Sequence, residues 1–324
     1  MASQRTIDAV EGSDTDELLR IIDGHCKARA WEELLEMRRL CAEALTRGKQ
    51  LWGVDEHIRY RLALEAPASL AAAAVDEGPA RFALGPLTEV AASRHTFADL
   101  APYLAPGPSQ AWIAHERVLR GETIDPDLVD PTVVELPLVV HGWEGSYCLA
   151  EYKGDRLEVH PPPLPELGAL AITDQAEGVD DPDGTAALEA LVAPWVEESN
   201  GRVSVVCAEG DLSAAMRLLG VRSALASVIG LSQALPLMAW AGASGGAHGR
   251  RKGSAAGRLA AWWALTALTG LSWPPSPEEL GEAGQSLQWQ AWSDLGEGPG
   301  WNLRLAATSR LEGLTWAVAA SDAV

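Results

Sequence analysis

The stretch GETIDPDLVDP, at residues 121–131, divides the sequence into two regions that differ in the spacing of their apolar residues. It contains four acidic residues and two prolines, and its apolar residues follow no regular period. Such a composition is typical of a connecting segment. We therefore predict a helical domain at 1–121, a linker at 122–132 and a second domain at 133–324.

The region before this linker has the apolar spacing of amphipathic helices. Ser13–Glu17 supplies capping residues and first-turn acids ahead of Leu18 and Ile22. Gly48 and Gly121 follow apolar runs, at positions where helices commonly end. Several short antiparallel helices with tight links are similar in architecture to helical-repeat proteins, although no repeat consensus aligns with the sequence.

Beyond the linker, strand patterns alternate with helical ones. Val133–Val140 is a strand candidate that Pro137 restricts to a sheet edge or a bulge, and residues 147–160 predict a hairpin around a glycine turn. Further strands are predicted at 170–173, 202–208 and 223–229, and an antiparallel three-stranded meander at 287–292, 301–306 and 314–320, with a turn at 294–300. The sequence therefore predicts a mixed α+β or α/β fold, in which an N-terminal antiparallel, repeat-like helical array precedes an α/β region that ends in this meander.

Two tryptophans of the predicted meander lie three residues apart. On one strand, Trp289 and Trp292 face opposite sides of the sheet. We expect one of them in the core, and the other either in a second packed layer or at an exposed contact surface.

The composition is that of an acidic protein with isolated cysteines. The 324 residues have a net charge of −20, which repels nucleic acid and anionic lipid at long range. The four cysteines form no disulfide or metal-binding pattern, and residues 1–17 lack the layout of a signal peptide. We therefore expect a soluble, intracellular, cytoplasmic protein with no cofactor, no metal and no membrane contact, for which nucleic acid is not an expected partner.

One long segment of this acidic chain contains no acidic residue. No Asp or Glu occurs between Asp211 and Glu278, and these 66 residues carry six Arg or Lys residues, so the segment is +6 and the rest of the chain is −26. Four of the six cations lie in the glycine-rich sequence GASGGAHGRRKGSAAGR at 242–258, together with His248. We call residues 242–258 the basic loop.

The position of the basic loop predicts that it meets an anion. Ser254 is the predicted N-cap of an apolar, buried helix that follows the loop. Because a helix N-terminus is partly positive, cations placed just before it are unfavourable unless an anion is present. Glycines allow the backbone to approach such an anion closely. The predicted anion-binding residues are Gly246, His248, Gly249, Arg250, Arg251, Lys252, Ser254 and Arg258.

Three interpretations of the basic loop are open. It binds an external anion, such as a phosphate or carboxylate ligand; or it docks onto the protein's own acidic surface or another subunit; or it connects two membrane-spanning segments. The order Lys-Gly-Ser at 252–254 differs from the Gly-Lys-Ser/Thr of a P-loop. The uncharged stretches at 223–242 and 259–273 are respectively too polar and too short for a membrane hairpin.

The leading functional hypothesis is a non-catalytic binding protein, whose helices bind a protein partner and whose basic loop binds an anionic group. One alternative is an enzyme that acts on a phosphorylated or carboxylated small molecule, with His248 as the acid–base candidate. A second alternative is a scaffold or homo-oligomer subunit in which the loop docks on the protein's own acidic surface. No catalytic residue is predicted, because Cys207 fits a buried thiol better than a nucleophile.

Overall fold

The computed structural model describes residues 3–173, 175–294 and 300–323. Their backbone contacts divide into two units, of which the first comprises Met1–Val133 and Ala150–Glu158 and the second comprises Val134–Leu149 and Val159–Val324. Helices dominate the first unit and a six-stranded antiparallel sheet is the centre of the second, which confirms the predicted α+β fold. The linker at 122–132 and the separate folding of the segments on either side of it stay predictions.

The first unit is built from short amphipathic helices around one apolar core. Asp14 caps the second helix, since its carboxylate accepts a hydrogen bond of 3.0 Å from the Glu17 N–H. Leu18, Ile22 and Leu34 are fully buried in the core. The helices are α1 (Gln4–Gly12), α2 (Thr15–Ala28), α3 (Trp31–Thr46), α4 (Trp52–Glu65), α5 (Ala68–Asp76), α6 (Leu87–Ala92), α7 (Phe97–Leu100) and α8 (Pro108–Leu119), with 3₁₀ turns at Ala101–Tyr103 and Pro126–Leu128.

A two-stranded antiparallel hairpin belongs to the same unit. Its strands are β1 (Glu151–Tyr152) and β2 (Leu157–Glu158), which is shorter than predicted because residues 147–149 belong to the second unit. The buried Tyr152 hydroxyl donates a hydrogen bond of 2.6 Å to Glu89, and the Tyr60 hydroxyl donates to the Lys153 carbonyl. The hairpin therefore contributes a buried side chain to the helical unit.

The sheet of the second unit has the order β3-β5-β6-β7-β8-β4, and every neighbouring pair is antiparallel. Its strands are β3 (Gly168–Leu170), β4 (Arg202–Glu209), β5 (Ala224–Ile229), β6 (Gln288–Asp294), β7 (Trp301–Ser309) and β8 (Leu314–Asp322). The helices are α9 (Pro182–Leu191), α10 (Ala193–Glu197), α11 (Leu212–Leu218), α12 (Leu231–Ala243), α13 (Ser254–Leu268) and α14 (Pro277–Ser286).

The predicted meander is present as β6, β7 and β8, although residues 295–299 of its first turn lie outside the described residues. The alternation of strands and helices before it does not produce parallel neighbours. Strand β4 pairs with β8, and β5 pairs with β3 and β6. Helices α9, α10 and α11 therefore connect strands that are not adjacent, whereas α12, α13 and α14 connect β5 to its antiparallel neighbour β6.

One predicted strand is wrong. Residues 133–140 form no strand, because two carbonyls of this segment are used outside any strand pairing. The Pro137 and Val139 carbonyls both accept hydrogen bonds from the guanidinium of Arg258, at 3.0 and 2.7 Å.

Both tryptophans of β6 are core residues. Trp292 lies on the face of the sheet that packs against α11, in a buried cluster that includes Leu212 and Ala215. Trp289 is equally buried, and its indole N–H donates to the Gly284 carbonyl of α14 at 2.8 Å. Of the two expectations for the second indole, the packed layer is therefore the correct one.

We predict that Tyr152→Phe destabilises the protein, because it removes a hydrogen bond to a buried carboxylate. The expected loss in the free energy of unfolding is about 1.5–3 kcal/mol, the range for hydrogen bonds to charged groups. Urea denaturation followed by circular dichroism measures it. The control is Tyr103→Phe, which changes an exposed tyrosine of the same unit. Equal stability of the two variants would contradict a structural role for the hairpin.

Candidate functional site

The basic loop is closed at its base by hydrogen bonds of its own backbone and side chains. The Lys252 N–H donates to the Ala243 carbonyl at 2.8 Å, which joins the end of α12 to the start of α13. The buried Ser244 hydroxyl accepts a hydrogen bond of 2.7 Å from the Trp195 indole and donates to the Ala241 carbonyl. The loop is therefore anchored where it leaves α12.

Glu198, the residue after α10, is the first carboxylate that meets the loop. Its two oxygens accept hydrogen bonds from the Lys252 ammonium at 2.6 Å and from the Arg250 N–H at 3.1 Å. The Lys252 hydrogen bond, followed by the Arg250 N–H, lowers the pKa of Glu198. Both side chains of the pair are partly exposed, so water screens this interaction.

Asp322, on β8, is the second carboxylate at the loop. It accepts a hydrogen bond of 2.6 Å from the Ala247 N–H. The preceding Gly246 has a φ of 72°, and a Cβ atom built on it would lie 2.2 Å from the Asp322 carboxylate. At Gly249, a Cβ atom would lie 2.3 Å from the Gly245 carbonyl oxygen. These glycines allow the loop to approach its own chain.

Arg251 and Ser254 are buried beneath the loop. The Arg251 guanidinium donates a hydrogen bond of 3.0 Å to the Ser254 hydroxyl. Ser254 was predicted to be the N-cap of α13, but the N-cap is Gly253 and Ser254 is the first helical residue. The predicted N-cap is therefore wrong by one residue. Gly253 has a φ of 103°, a conformation that glycine adopts without strain, and it is the last residue before the helix.

Arg258 lies on α13 and is fully enclosed by protein, with 0% of its side chain exposed. Its Nε and Nη2 donate to the two oxygens of Glu144, at 2.7 and 2.8 Å, in a two-pronged ion pair. The remaining hydrogen bonds of the guanidinium go to the Pro137 and Val139 carbonyls. An external anion could reach Arg258 only if this arrangement were broken.

Glu144 is the centre of this buried group. It is also 0% exposed, and it accepts further hydrogen bonds from the Trp262 indole at 2.9 Å, from the His141 N–H at 2.8 Å and from the Tyr147 hydroxyl. Burial alone would raise the pKa of Glu144, but these donors, led by Arg258, hold it below its ordinary value. Burial and the adjacent carboxylate raise the pKa of Tyr147, which therefore stays protonated and donates.

The structure thus divides the eight predicted residues into three groups. Arg251, Ser254 and Arg258 are buried, Gly246 and Gly249 are half-buried, and His248, Arg250 and Lys252 are exposed. The backbone of His248 donates to the Ser199 hydroxyl at 3.1 Å. Sequence reasoning located the cations but not their carboxylates, Glu144, Glu198 and Asp322. These lie 52 to 114 residues away from their partners in the loop, and no local motif distinguishes them.

The sequence matches the model of a family of unknown function (DUF6183) over residues 16–323. The chain belongs to this family. No curated protein and no solved structure matches it. The matched region contains the basic loop and the three carboxylates that meet it.

Metal sites and membrane-spanning helices are two further kinds of functional feature. Within the described ranges, no three His, Cys, Asp or Glu side chains are grouped so that they could hold a metal ion. Among the same residues, no helix combines the length and the apolar character that crossing a bilayer requires.

We predict that Arg258→Met destabilises the protein strongly, because it leaves the Glu144 carboxylate buried without its cation. Breaking a buried pair in this way costs about 3–5 kcal/mol. Lys252→Met, which breaks the partly exposed pair with Glu198, is the matched control and should cost at most about 1 kcal/mol. Guanidinium denaturation at neutral pH measures both, and comparable losses would contradict the dominance of the buried pair.

The same pair predicts an acid dependence. Because the pKa of Glu144 is lowered on folding, its contribution to stability is present at neutral pH and is lost as pH falls through its folded-state value. In Arg258→Met the carboxylate loses that stabilisation. The difference in unfolding free energy between wild type and variant should therefore shrink as pH falls below about 4.

Proposed function

We propose that this chain is a non-catalytic binding protein, in which the helical unit binds a protein partner and the basic loop is an internal clasp. The observation that carries the binding proposal is a pair of exposed aromatic side chains in the first unit. Trp52 is 56% exposed and Phe82 is 65% exposed. Neither belongs to the buried cluster that stabilises the helices.

Glu56 links the segments that carry these two aromatic residues. Trp52 is the first residue of α4, and Glu56 follows it by one helical turn on the same face. The Glu56 carboxylate accepts a hydrogen bond from the Phe82 N–H, which places Phe82 beside that face. We call Trp52, Glu56 and Phe82 the aromatic patch. Grouped exposed aromatic side chains are characteristic of interaction surfaces, where they supply most of the binding energy.

The charge of the first unit indicates what kind of partner fits the aromatic patch. Residues 1–133 contain 22 acidic and 14 basic residues. An acidic surface accelerates association with a basic partner and disfavours an acidic one. The proposed partner is therefore a protein segment that combines apolar anchor residues with Lys or Arg.

The contacts of the basic loop favour a clasp over an external anion site. Lys252 and the Arg250 N–H share Glu198, and the Ala247 N–H binds Asp322. An incoming anion would have to displace these carboxylates from the same donors. The contacts join the loop to the residue that follows α10 and to β8. External-anion binding by the loop remains a proposal that would rest on its exposed members, His248 and Arg250.

The geometry also favours binding over catalysis at the loop. An enzyme would require His248 to act beside a nucleophile or a second acid–base group. Cys207 lies in β4, paired with Trp316 of β8, and burial raises the pKa of its thiol to about 11. It is therefore a thiol rather than a reactive thiolate at neutral pH.

We expect the double variant Trp52→Ala/Phe82→Ala to lose partner binding while it keeps its fold. The probe is a displayed library of random 16-residue peptides, selected against the full chain. Selected peptides should combine apolar residues with Lys or Arg, and the double variant should bind them at least about ten-fold more weakly, as at interface hot spots. Tyr103→Ala, which removes another exposed aromatic side chain from the same unit, is the control. Selection of no peptide, or equal binding by the double variant, would contradict the proposal.

The clasp is tested by Arg250→Ala/Arg251→Ala/Lys252→Ala. The triple variant removes the Lys252–Glu198 ion pair and the hydrogen bond from the buried Arg251 to Ser254, whereas the Arg250 N–H keeps its hydrogen bond to Glu198. If the loop is held by the protein's own groups, the variant should lose about 1–3 kcal/mol of stability, and the ion-pair part of this loss should be larger at low salt than at high salt. Arg217→Ala/Arg222→Ala is the control, because it removes two exposed cations from the same acid-free segment. Unchanged stability in the triple variant, together with phosphate-dependent stabilisation of the wild type that the variant lacks, would favour an external anion instead.

A further inference from the structure

A cavity of about 450 Å³ opens between α9 and α13 in the second unit. Its lining includes three small side chains, Ala186 and Ala187 from α9 and Ala267 from α13. Because these side chains are short, the two helices leave space between them that larger residues would fill. Trp263, Trp273 and Asp183 are among the residues that line it, and we call it the indole cavity.

Two indoles form one wall of the indole cavity. The ring centroids of Trp263 and Trp273 are 5.2 Å apart, with the planes inclined at 58°. The indole N–H of Trp273 donates a hydrogen bond of 2.9 Å to the carboxylate of Glu135. That bond orients the ring, and it also increases the electron density on the ring face.

The core of the second unit does not account for the position of Trp263. Its neighbour Trp262 is buried against Glu144, whereas Trp263 points from another face of α13 and is 49% exposed. Residues 263, 266 and 267 recur at helical spacing, so they lie on the face of α13 that borders the cavity, and Gly270 follows just beyond the end of the helix. Because the Trp263 indole is half-exposed and lines the cavity, it can contact a ligand there.

The charge around the indole cavity selects the class of ligand. Asp183 lies in its wall, and the described lining residues include no Lys or Arg. Indole faces attract cations through the ring quadrupole, and a nearby carboxylate adds to that attraction. Phosphorylated and carboxylated ligands are repelled by the same groups.

We propose that the indole cavity binds a small organic cation, consisting of a primary or quaternary ammonium group on a short apolar body. The ammonium would lie between the indole faces and Asp183, and the apolar body would lie against the alanine side chains that line the cavity. The volume is within the range of small-molecule sites. This site is independent of the aromatic patch, which belongs to the other unit.

The same chemistry occurs in a free small molecule and in the side chain of a methylated lysine. We assign the free small molecule, because the cavity is lined by helix faces and its volume suits a compact ligand. A trimethyllysine-containing peptide serves as the comparison. Binding of the peptide more tightly than choline would support the cation chemistry but identify a polypeptide as its source.

The test compares choline with its uncharged analogue 3,3-dimethylbutan-1-ol, in titrations of the full chain followed by ligand-observed NMR. Choline should bind in the millimolar range, and the analogue at least about five-fold more weakly, as a cation–π contribution requires. Trp263→Ala and Asp183→Asn should each weaken choline binding by about five-fold or more. Ala186→Leu, which places a larger side chain in the lining of the cavity, should abolish choline binding.

Tyr103→Ala is the matched control, because it removes an exposed aromatic side chain of the other unit that lies outside the aromatic patch, and it should leave choline binding unchanged. Circular dichroism of each variant establishes that it is folded. Three results would overturn the proposal: no detectable binding of choline, equal binding of choline and its uncharged analogue, or wild-type choline binding in Trp263→Ala and Ala186→Leu.

Discussion

The ion pair between Arg258 and Glu144 is the interaction on which the second unit depends most. Both side chains are completely removed from water, which is costly unless every hydrogen-bonding group finds a partner. The guanidinium meets the carboxylate and two main-chain carbonyls, and the carboxylate also meets an indole, a backbone N–H and a tyrosine hydroxyl. The pair therefore determines the path of residues 134–149, which otherwise have little regular structure, and attaches them to α13.

The same constraint explains why a strongly acidic chain contains a segment of 66 residues without acids. Residues 231–268 of this segment form α12, the basic loop and α13, which pack closely and are largely buried. An acid inside such a region would need its own buried partner, whereas a cation can reach the abundant carboxylates outside the segment. Lys252 reaches Glu198 and Arg258 reaches Glu144 in this way. Two of the six cations of the segment, Lys252 and Arg258, are thus paired with carboxylates of the same molecule.

With the loop occupied in this way, the surfaces proposed for binding lie elsewhere and differ in chemistry. The aromatic patch is open and suits an extended partner segment, whereas the indole cavity is enclosed by two helices and suits a compact cation. Both present aromatic side chains beside carboxylates, so both proposals favour positively charged ligands. A chain with a net charge of −20 provides a long-range field of the corresponding sign.

Local properties of the sequence were sufficient for the elements whose cause is local. Capping residues and apolar period predicted the Asp14 cap, the helices α2, α3, α4, α5 and α8, and the meander β6–β8, but not the short helices α1, α6 and α7. A count of charges located the basic loop. Tertiary structure alone decided the pairing of β4 with β8, the absence of a strand at 133–140, the N-cap at Gly253 and the burial of both Trp289 and Trp292. It also decided that the anions of the loop are Glu198 and Asp322. The physical reason is that these hydrogen bonds and ion pairs join residues that are 52 to 114 positions apart. Such contacts depend on how distant segments pack together, which the local pattern of residue types does not determine.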